Sequence, residues 1–64
     1  MTLRELYLVN ATWDKDTKLY ITIGIEWVYE DIAYSDIPNT YKSEDYRVSW
    51  FHDNVVCIAR REES

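Results

Sequence analysis

The stretch that decides the fold is YRVSWFHDNVVCIAR, residues 46–60. Two segments rich in β-branched and aromatic residues flank a short polar break, and Asp and Asn tolerate the left-handed backbone that a tight turn needs. The pattern predicts a β-hairpin that turns at residues 52–54. Val48 and Trp50 share parity on the first strand, so we expect both on the buried face with Ile21.

Two further elements are predicted upstream of the hairpin. Thr2 and Glu5 have the spacing of a capping box, which predicts a short helix from about Thr2 to Val9. Residues 18–23, KLYITI, alternate between apolar and polar side chains, as a strand with one buried face does. Gly24 ends this strand, either as the pivot of a turn or as a bulge. The helix is too short to be stable alone and must pack on the sheet.

The apolar pattern changes phase within residues 25–35. One parity holds Ile25, Trp27 and Tyr29, and the other holds Val28, Ile32 and Tyr34. Because the period of a strand is two, this change predicts a bulge or bend at Glu30-Asp31, giving one bent strand or two short ones. Pro38 disfavours helix at the preceding residue and lacks an N–H, so residues 35–40 are predicted to form a loop.

These elements predict an α+β fold, with one short N-terminal helix packed on a meandering antiparallel sheet of three to five strands. The 64 residues make one domain, 1–64, in which we expect residues 60–64 to fray as a charged tail. A chain this short buries only about 60% of its unfolded surface, so a second copy or a partner would supplement its core. Aromatic residues beyond those that the core needs are expected on the solvated face of the sheet.

The charge balance restricts the class of partner. Seven Lys and Arg against twelve Asp and Glu give a net charge of −5. This balance argues against direct binding of nucleic acid through its phosphates and favours a protein with a basic surface. The single cysteine, Cys57, cannot form an intramolecular disulfide, which favours a reducing, cytoplasmic setting. The N-terminus has an early acidic residue and no long apolar run, so neither signal peptide nor membrane anchor is predicted.

Residues that could carry chemistry are few. His52 is the single histidine, and Asp53 beside it is expected to point to the other side of the strand, so we interpret His52 as a solvated turn residue. Cys57 lies in an apolar run without a basic neighbour on its own face, as a buried small hydrophobic residue does. Asp14-Lys15-Asp16 starts like an EF-hand loop but lacks its Gly and its distant Glu. We therefore predict a protein that is not an enzyme and binds neither cofactor nor metal.

One segment combines acids with aromatic residues. Residues 25–41 contain four acids and no Lys or Arg. Aromatic side chains anchor interfaces and acids steer a basic partner, so the segment is a candidate protein-binding face. Its predicted partner-binding residues are Glu26, Trp27, Tyr29, Glu30, Asp31, Tyr34 and Asp36. The alternative is that the aromatics form the core while the acids solvate the outer strand face.

In four segments, TLRELY at 2–7, DTKLYI at 16–21, SDIP at 35–38 and the hairpin from 48 to 58, the chain resembles small accessory proteins of Gram-positive phages and conjugative elements. The resemblance covers most of the chain and transfers no catalytic residue. It implies a mobile-element factor in the host cytoplasm. One expectation is an inhibitor of a host nucleic-acid-binding defence complex, for example an anti-CRISPR, that occupies a basic channel with its acidic aromatic face. The alternative is a structural or regulatory homodimer built by pairing strand edges.

Overall fold

The computed structural model describes residues 1–61 and has the predicted α+β class. Its elements in chain order are α1 (Leu3–Val9), β1 (Lys18–Ile23), β2 (Glu26–Ala33), a 3₁₀ turn (Tyr34–Asp36), α2 (Asn39–Lys42), β3 (Tyr46–His52) and β4 (Val55–Arg60). Neither helix has the length and apolar character needed to cross a bilayer. The four strands fall within the predicted number of three to five.

The strands form one sheet in the order β2-β1-β4-β3. The outer pairs, β1 with β2 and β3 with β4, are antiparallel, but the central pair, β1 with β4, is parallel. The expectation of a wholly antiparallel meander is corrected on this point. Residues 34–45 carry the chain from one edge of the sheet to the other, so the second hairpin begins at the far edge and returns beside β1. A connection of about a dozen residues is long enough for such a crossover.

Helix α1 begins as the capping box predicts. The Glu5 amide donates to Thr2 Oγ1 at 3.1 Å, and the Thr2 amide donates to Glu5 Oε1 at 2.9 Å. The bond from the Thr2 backbone is the main cause that lowers the pKa of Glu5. Leu3 and Leu6 are buried beneath this helix. Tertiary packing of that apolar side therefore holds a helix that is too short to persist alone.

The hydrophobic core lies between α1 and one face of the sheet, here called the core face. Leu19 and Ile21 of β1 and Val56 and Ile58 of β4 are fully buried there. The predicted alternation of β1 is confirmed by this burial. Loops close the core around its margin with the buried side chains of Trp13, Tyr34 and Ile37.

The predicted phase change in β2 is a β-bulge. Glu30 and Asp31 together lie opposite one residue of β1, Tyr20. Asp31 takes the left-handed conformation, with φ of 56°. The extra residue brings Tyr29 and Ile32, which have opposite parity, onto the same face of the sheet. The break at Glu30-Asp31 is therefore confirmed, and the segment is one bulged strand.

The register of β2 shifts again between Ile21 and Thr22, where Val28 is the extra residue, so Trp27 lies on the face opposite Tyr29 although the two share parity in the sequence.

A further bulge, in β3, overturns the prediction for Trp50. Val48 pairs with Ile58, but Trp50 pairs with Cys57, which leaves Ser49 as the extra residue of β3. Val48 faces the core, whereas Trp50 lies on the opposite face and is 52% exposed. Trp50 is therefore not a buried core residue as expected. Parity predicts a common face only in a regular strand, and a bulge shifts every residue beyond it.

The loops and the C-terminus differ in part from expectation. The predicted hairpin is confirmed, with Asp53 at φ of 51° in its turn. Residues 35–40 are predicted as a loop, but they include most of the 3₁₀ turn and the start of α2. Pro38 directly precedes α2, at a position where no backbone N–H donor is needed. Arg60, expected to fray, is the last residue of β4. The rest of the predicted tail includes residues 62–64, which lie outside the described residues.

Candidate protein-binding surface

The face of the sheet away from α1, here called the open face, has no helix packed on it within residues 1–61. Strand alternation places Tyr20 and Thr22 of β1 on this face, because Leu19 and Ile21 point into the core. The parallel pairing aligns Thr22 with Cys57 of β4. The open face is therefore built from side chains of the four strands alone.

Four residues, one from each strand, form a row across the open face. Trp27 pairs with Thr22, Thr22 with Cys57, and Cys57 with Trp50. Trp27 and Trp50 at the two ends are 56% and 52% exposed, whereas Thr22 and Cys57 at the centre are 6% and 5% exposed. The row thus presents a large aromatic side chain to solvent at each edge of the sheet.

Tyr20 completes an aromatic patch, defined here as Tyr20, Trp27 and Trp50. The Tyr20 and Trp27 rings meet edge to face, with centroids 6.1 Å apart and an interplanar angle of 83°. This arrangement is one that aromatic pairs prefer. The contact holds the Trp27 ring in place while leaving more than half of it in water. A preordered side chain loses less conformational entropy on binding than a mobile one.

The two edge strands carry opposite charges. Strand β2 has three exposed acids, Glu26, Glu30 and Asp31, and no base. Strand β3 has one exposed base, Arg47, and no acid. The bulge of β2 places two of its acids opposite β1, beside the aromatic patch. The surface is consequently negative along one edge and positive along the other.

The structure places five of the seven predicted partner-binding residues at the surface. Trp27 lies on the open face, and the four acids are exposed. Three of these acids belong to β2 with Trp27, namely Glu26, Glu30 and Asp31. Asp36 lies apart from them in the 3₁₀ turn. The structure thus brings Trp27 and the β2 acids together and separates Asp36 from them.

The other two predicted residues, Tyr29 and Tyr34, belong to the core side. Tyr29 is half-buried and meets the Tyr41 ring at a centroid distance of 5.9 Å. Tyr34 is only 7% exposed and stacks on Tyr7 at 3.8 Å. A partner could contact the Tyr34 ring only if that ring first left the core. The rings of Tyr29 and Tyr34 therefore pack on the core side and are not part of the open face.

Sequence reasoning missed two members of the aromatic patch. Tyr20 alternates with Leu19 and Ile21, so its solvent-facing side was visible in the sequence, but its contact with Trp27 spans two strands. Trp50 gave no such signal, because the bulge at Ser49 follows from pairing with β4 and leaves no trace in the apolar pattern. The patch is assembled by tertiary pairing.

The hydroxyl of Thr22 is buried beneath the patch. Its Oγ1 atom has no hydrogen-bond partner within residues 1–61. An unsatisfied buried polar group costs about 1–3 kcal/mol. The sheet thus keeps a destabilising polar atom at the centre of its open face.

The remaining reactive side chains lie apart from one another. His52 Nε2 is 3.3 Å from Asp53 Oδ2 at the exposed hairpin tip, which corrects the expectation that these neighbours point apart. The left-handed backbone of Asp53 turns its carboxylate back toward the imidazole. Cys57 is buried, with its Sγ atom 3.8 Å from the Gly24 carbonyl oxygen. Across residues 1–61, His, Cys, Asp and Glu side chains form no group that could hold a metal ion.

Compared with protein-family models, with curated proteins and with solved structures, the chain has no match.

Proposed function

We propose that this chain is a non-enzymatic protein-binding module that contacts its partner through the aromatic patch. The observation that carries the proposal is the exposure of Trp27 and Trp50, each more than half in water, on one face of the sheet. Trp is among the residue types most enriched in interface hot spots. Exposed apolar patches on a small protein mark interaction sites, because removing apolar area from water yields about 25 cal/mol per Å².

The partner that fits best is a protein with a basic surface. Glu26, Glu30 and Asp31 border the patch along β2, which carries no base of its own. In protein interfaces a desolvated aromatic centre is surrounded by a charged rim, and the rim guides the approach of a partner of opposite charge. The net charge of −5 adds to this steering.

The biological setting that we propose rests on the resemblance to accessory proteins of Gram-positive phages and conjugative elements. In that setting the module acts in the host cytoplasm and inhibits a nucleic-acid-binding defence complex. A basic channel built for nucleic acid would meet the acids of β2, and the aromatic patch would supply the apolar contact. Because the chain carries far less charge than duplex DNA, with its two charges per base pair, the patch must contribute much of the affinity.

A second candidate function is a structural or regulatory homodimer, favoured by the opposite charges of the two edges. A two-fold axis parallel to the strands would place β2 of one copy over β3 of the other, and Trp27 over Trp50 of the second copy. Four strands about 4.8 Å apart and six residues of about 3.3 Å each give roughly 400 Å² of sheet per copy. Stable interfaces bury about 800 Å² per partner, so this contact alone would be weak.

The strand edges support a homodimer less than the open face does. The bulge and three acids of β2 oppose pairing with another strand, because bulges and edge charges are devices against such pairing. On β3, the Val48 amide already donates to the Met1 carbonyl oxygen at 2.7 Å. If the chain forms a dimer, we expect it to stack faces rather than to pair edges.

The test begins with capture of a partner from a host-cell lysate and its purification. We expect Trp27→Ser and Trp50→Ser each to raise the Kd for the purified partner at least about tenfold. Leu8→Ser is the matched control, because Leu8 is an exposed apolar residue of α1. The proposal is contradicted if Leu8→Ser weakens binding and the patch variants do not. Sedimentation showing that the wild type dimerises and Trp27→Ser does not would replace this function with the homodimer.

A further inference from the structure

Two cationic side chains from distant parts of the sequence converge beside α2. Arg4 of α1 and Lys42 at the end of α2 line one depression together with Asn39 and Ser43. Its volume of about 300 Å³ lies at the lower end of the range for small-molecule sites. The depression is lined by none of the aromatic patch residues, so it is separate from the proposed docking surface.

An aromatic pair holds the Lys42 ammonium in this place. Lys42 Nζ lies 4.3 Å from the centre of the Tyr34 ring. Tyr34 is itself fixed by stacking on Tyr7 of α1 at 3.8 Å. A cation over an aromatic face is attracted by the ring quadrupole, which restricts the long lysine side chain. The ammonium is therefore ordered before any ligand arrives.

The convergence of Arg4 and Lys42 is electrostatically unfavourable. Burial lowers the pKa of Lys42, Arg4 lowers it further, and Asp36 acts in the opposite direction. Within residues 1–61, neither Arg4 nor Lys42 forms an ion pair with a carboxylate. Although the chain has a net charge of −5, Arg4 and Lys42 form a local positive site. A bound anion would relieve the repulsion between their two charges.

We propose that Arg4, Lys42 and Asn39 form a binding site for a small dianionic oxyanion of the phosphate class. The guanidinium offers a planar fork of N–H donors that matches such an anion, and the ammonium supplies a second charge-assisted bond. The Asn39 amide adds a neutral donor. The Ser43 hydroxyl is already engaged, since it donates to the Thr40 carbonyl oxygen at 2.7 Å. Three side chains thus supply the positive charge and the hydrogen-bond donors of the site.

The test is a titration of the ¹⁵N-labelled protein with inorganic phosphate above neutral pH, with chloride exchanged to keep ionic strength constant. We expect saturable amide shifts at Arg4 and residues 39–43, with a Kd in about the millimolar range. Arg4→Gln and Lys42→Gln should each raise this Kd by about tenfold. Lys15→Gln, at an exposed lysine in the turn before β1, should leave it unchanged. Acetate, a monoanion, should bind more weakly than phosphate.

A second measurement covers the case in which a variant folds poorly. Phosphate should raise the melting temperature of the wild type and of Lys42→Arg, which keeps the charge, because a ligand that binds only the folded state stabilises it. Lys42→Gln should show no such rise. Equal weakening by Lys15→Gln, or shifts reproduced by chloride alone, would reveal general charge screening and overturn the site.

Discussion

Two aspartates in the left-handed backbone region shape the sheet, one at a bulge and the other at a turn. Asp31, with φ of 56°, forms the bulge of β2, and Asp53, with φ of 51°, forms the turn between β3 and β4. Asp and Asn occupy this region more readily than other residues with a side chain. Both positions could be predicted, one from the lost apolar phase and the other from the polar break in the hairpin. A bulge and a turn could therefore each be predicted at the scale of single residues.

The buried hydroxyl of Thr22 gives the first prediction. Thr22→Val removes an unsatisfied polar atom at almost constant volume, so we expect it to raise the free energy of unfolding by about 1 kcal/mol. A thermal melt should show a rise of about 4–8 °C. The control is Thr17→Val, because Thr17 Oγ1 accepts from the Asp14 amide at 2.8 Å. That variant should lose stability, and a loss at Thr22 as well would mean that its hydroxyl has a partner.

The exposure of Trp50 gives the second prediction. Because Trp50 is about half exposed, Trp50→Ala should cost less than about 2 kcal/mol of unfolding free energy. Ile58→Ala, at a fully buried position in the neighbouring strand, should cost about 2–5 kcal/mol. Urea denaturation of both variants measures the difference. If Trp50→Ala proved the more costly, the indole would belong to the core and the bulge at Ser49 would be misplaced.

At the scale of elements, the sequence predicts what each segment is better than which segments are neighbours. Helix α1, strand β1 and the β3–β4 hairpin follow from caps, alternation and turn chemistry. The parallel pairing of β1 with β4 could not be predicted, because an alternating strand has the same pattern in either orientation. The bulge at Ser49 escaped for a related reason, since it depends on the partner strand. The aromatic patch could therefore not be predicted from the sequence, because it depends on this parallel pairing and on this bulge.

The third prediction concerns the capping box of α1. The Thr2 amide donates to Glu5 and lowers its pKa below the ordinary 4.5, so the charged form is the one that stabilises the helix. This stabilisation is complete above the ordinary pKa and is lost as pH falls through the lower folded value. Glu5→Gln, which resembles the protonated acid, should therefore be less stable than wild type at neutral pH and equal to it in strong acid. Melts across this pH range check the difference.

The control for this prediction is Glu44→Gln, at an exposed glutamate outside the capping box. Its stability relative to wild type should not follow the Glu5 pattern. A Glu5→Gln deficit that persisted unchanged below the carboxylate range would show that the loss comes from the shape of the side chain and not from its charge.

At the scale of the whole molecule, one layer of helix covers one face of a four-stranded sheet, and within residues 1–61 no helix packs on the other face. The core face holds the fully buried aliphatic residues of β1 and β4, and the open face holds the aromatic patch. The sequence predicts surplus aromatic residues on a solvated face, with Trp27 among the partner-binding residues. It could not separate Trp27 from Tyr34, because only the packed structure shows that Tyr34 stacks on Tyr7.

The fourth prediction separates the roles of charge and aromatic contact in binding a basic protein partner. Exposed charges act over about 8 Å at physiological ionic strength, so added salt should slow association. Reversing Glu26 and Glu30 to Lys should also slow association, whereas Trp27→Ser should mainly speed dissociation. Stopped-flow mixing with the purified partner measures both rates. If the association rate changed neither with added salt nor with the double reversal at low ionic strength, the acids of β2 would play no part in association.

Photo-oxidation of the three tryptophans, free and in complex with the purified partner, tests the proposed docking surface most directly. Trp27 and Trp50 are exposed on the open face, while Trp13 lies in the core and serves as an internal control. We predict that complex formation protects Trp27 and Trp50 from oxidation and leaves the slow oxidation of Trp13 unchanged. If Trp27 and Trp50 oxidised as fast in the complex as in the free protein, the aromatic patch would not be the binding surface.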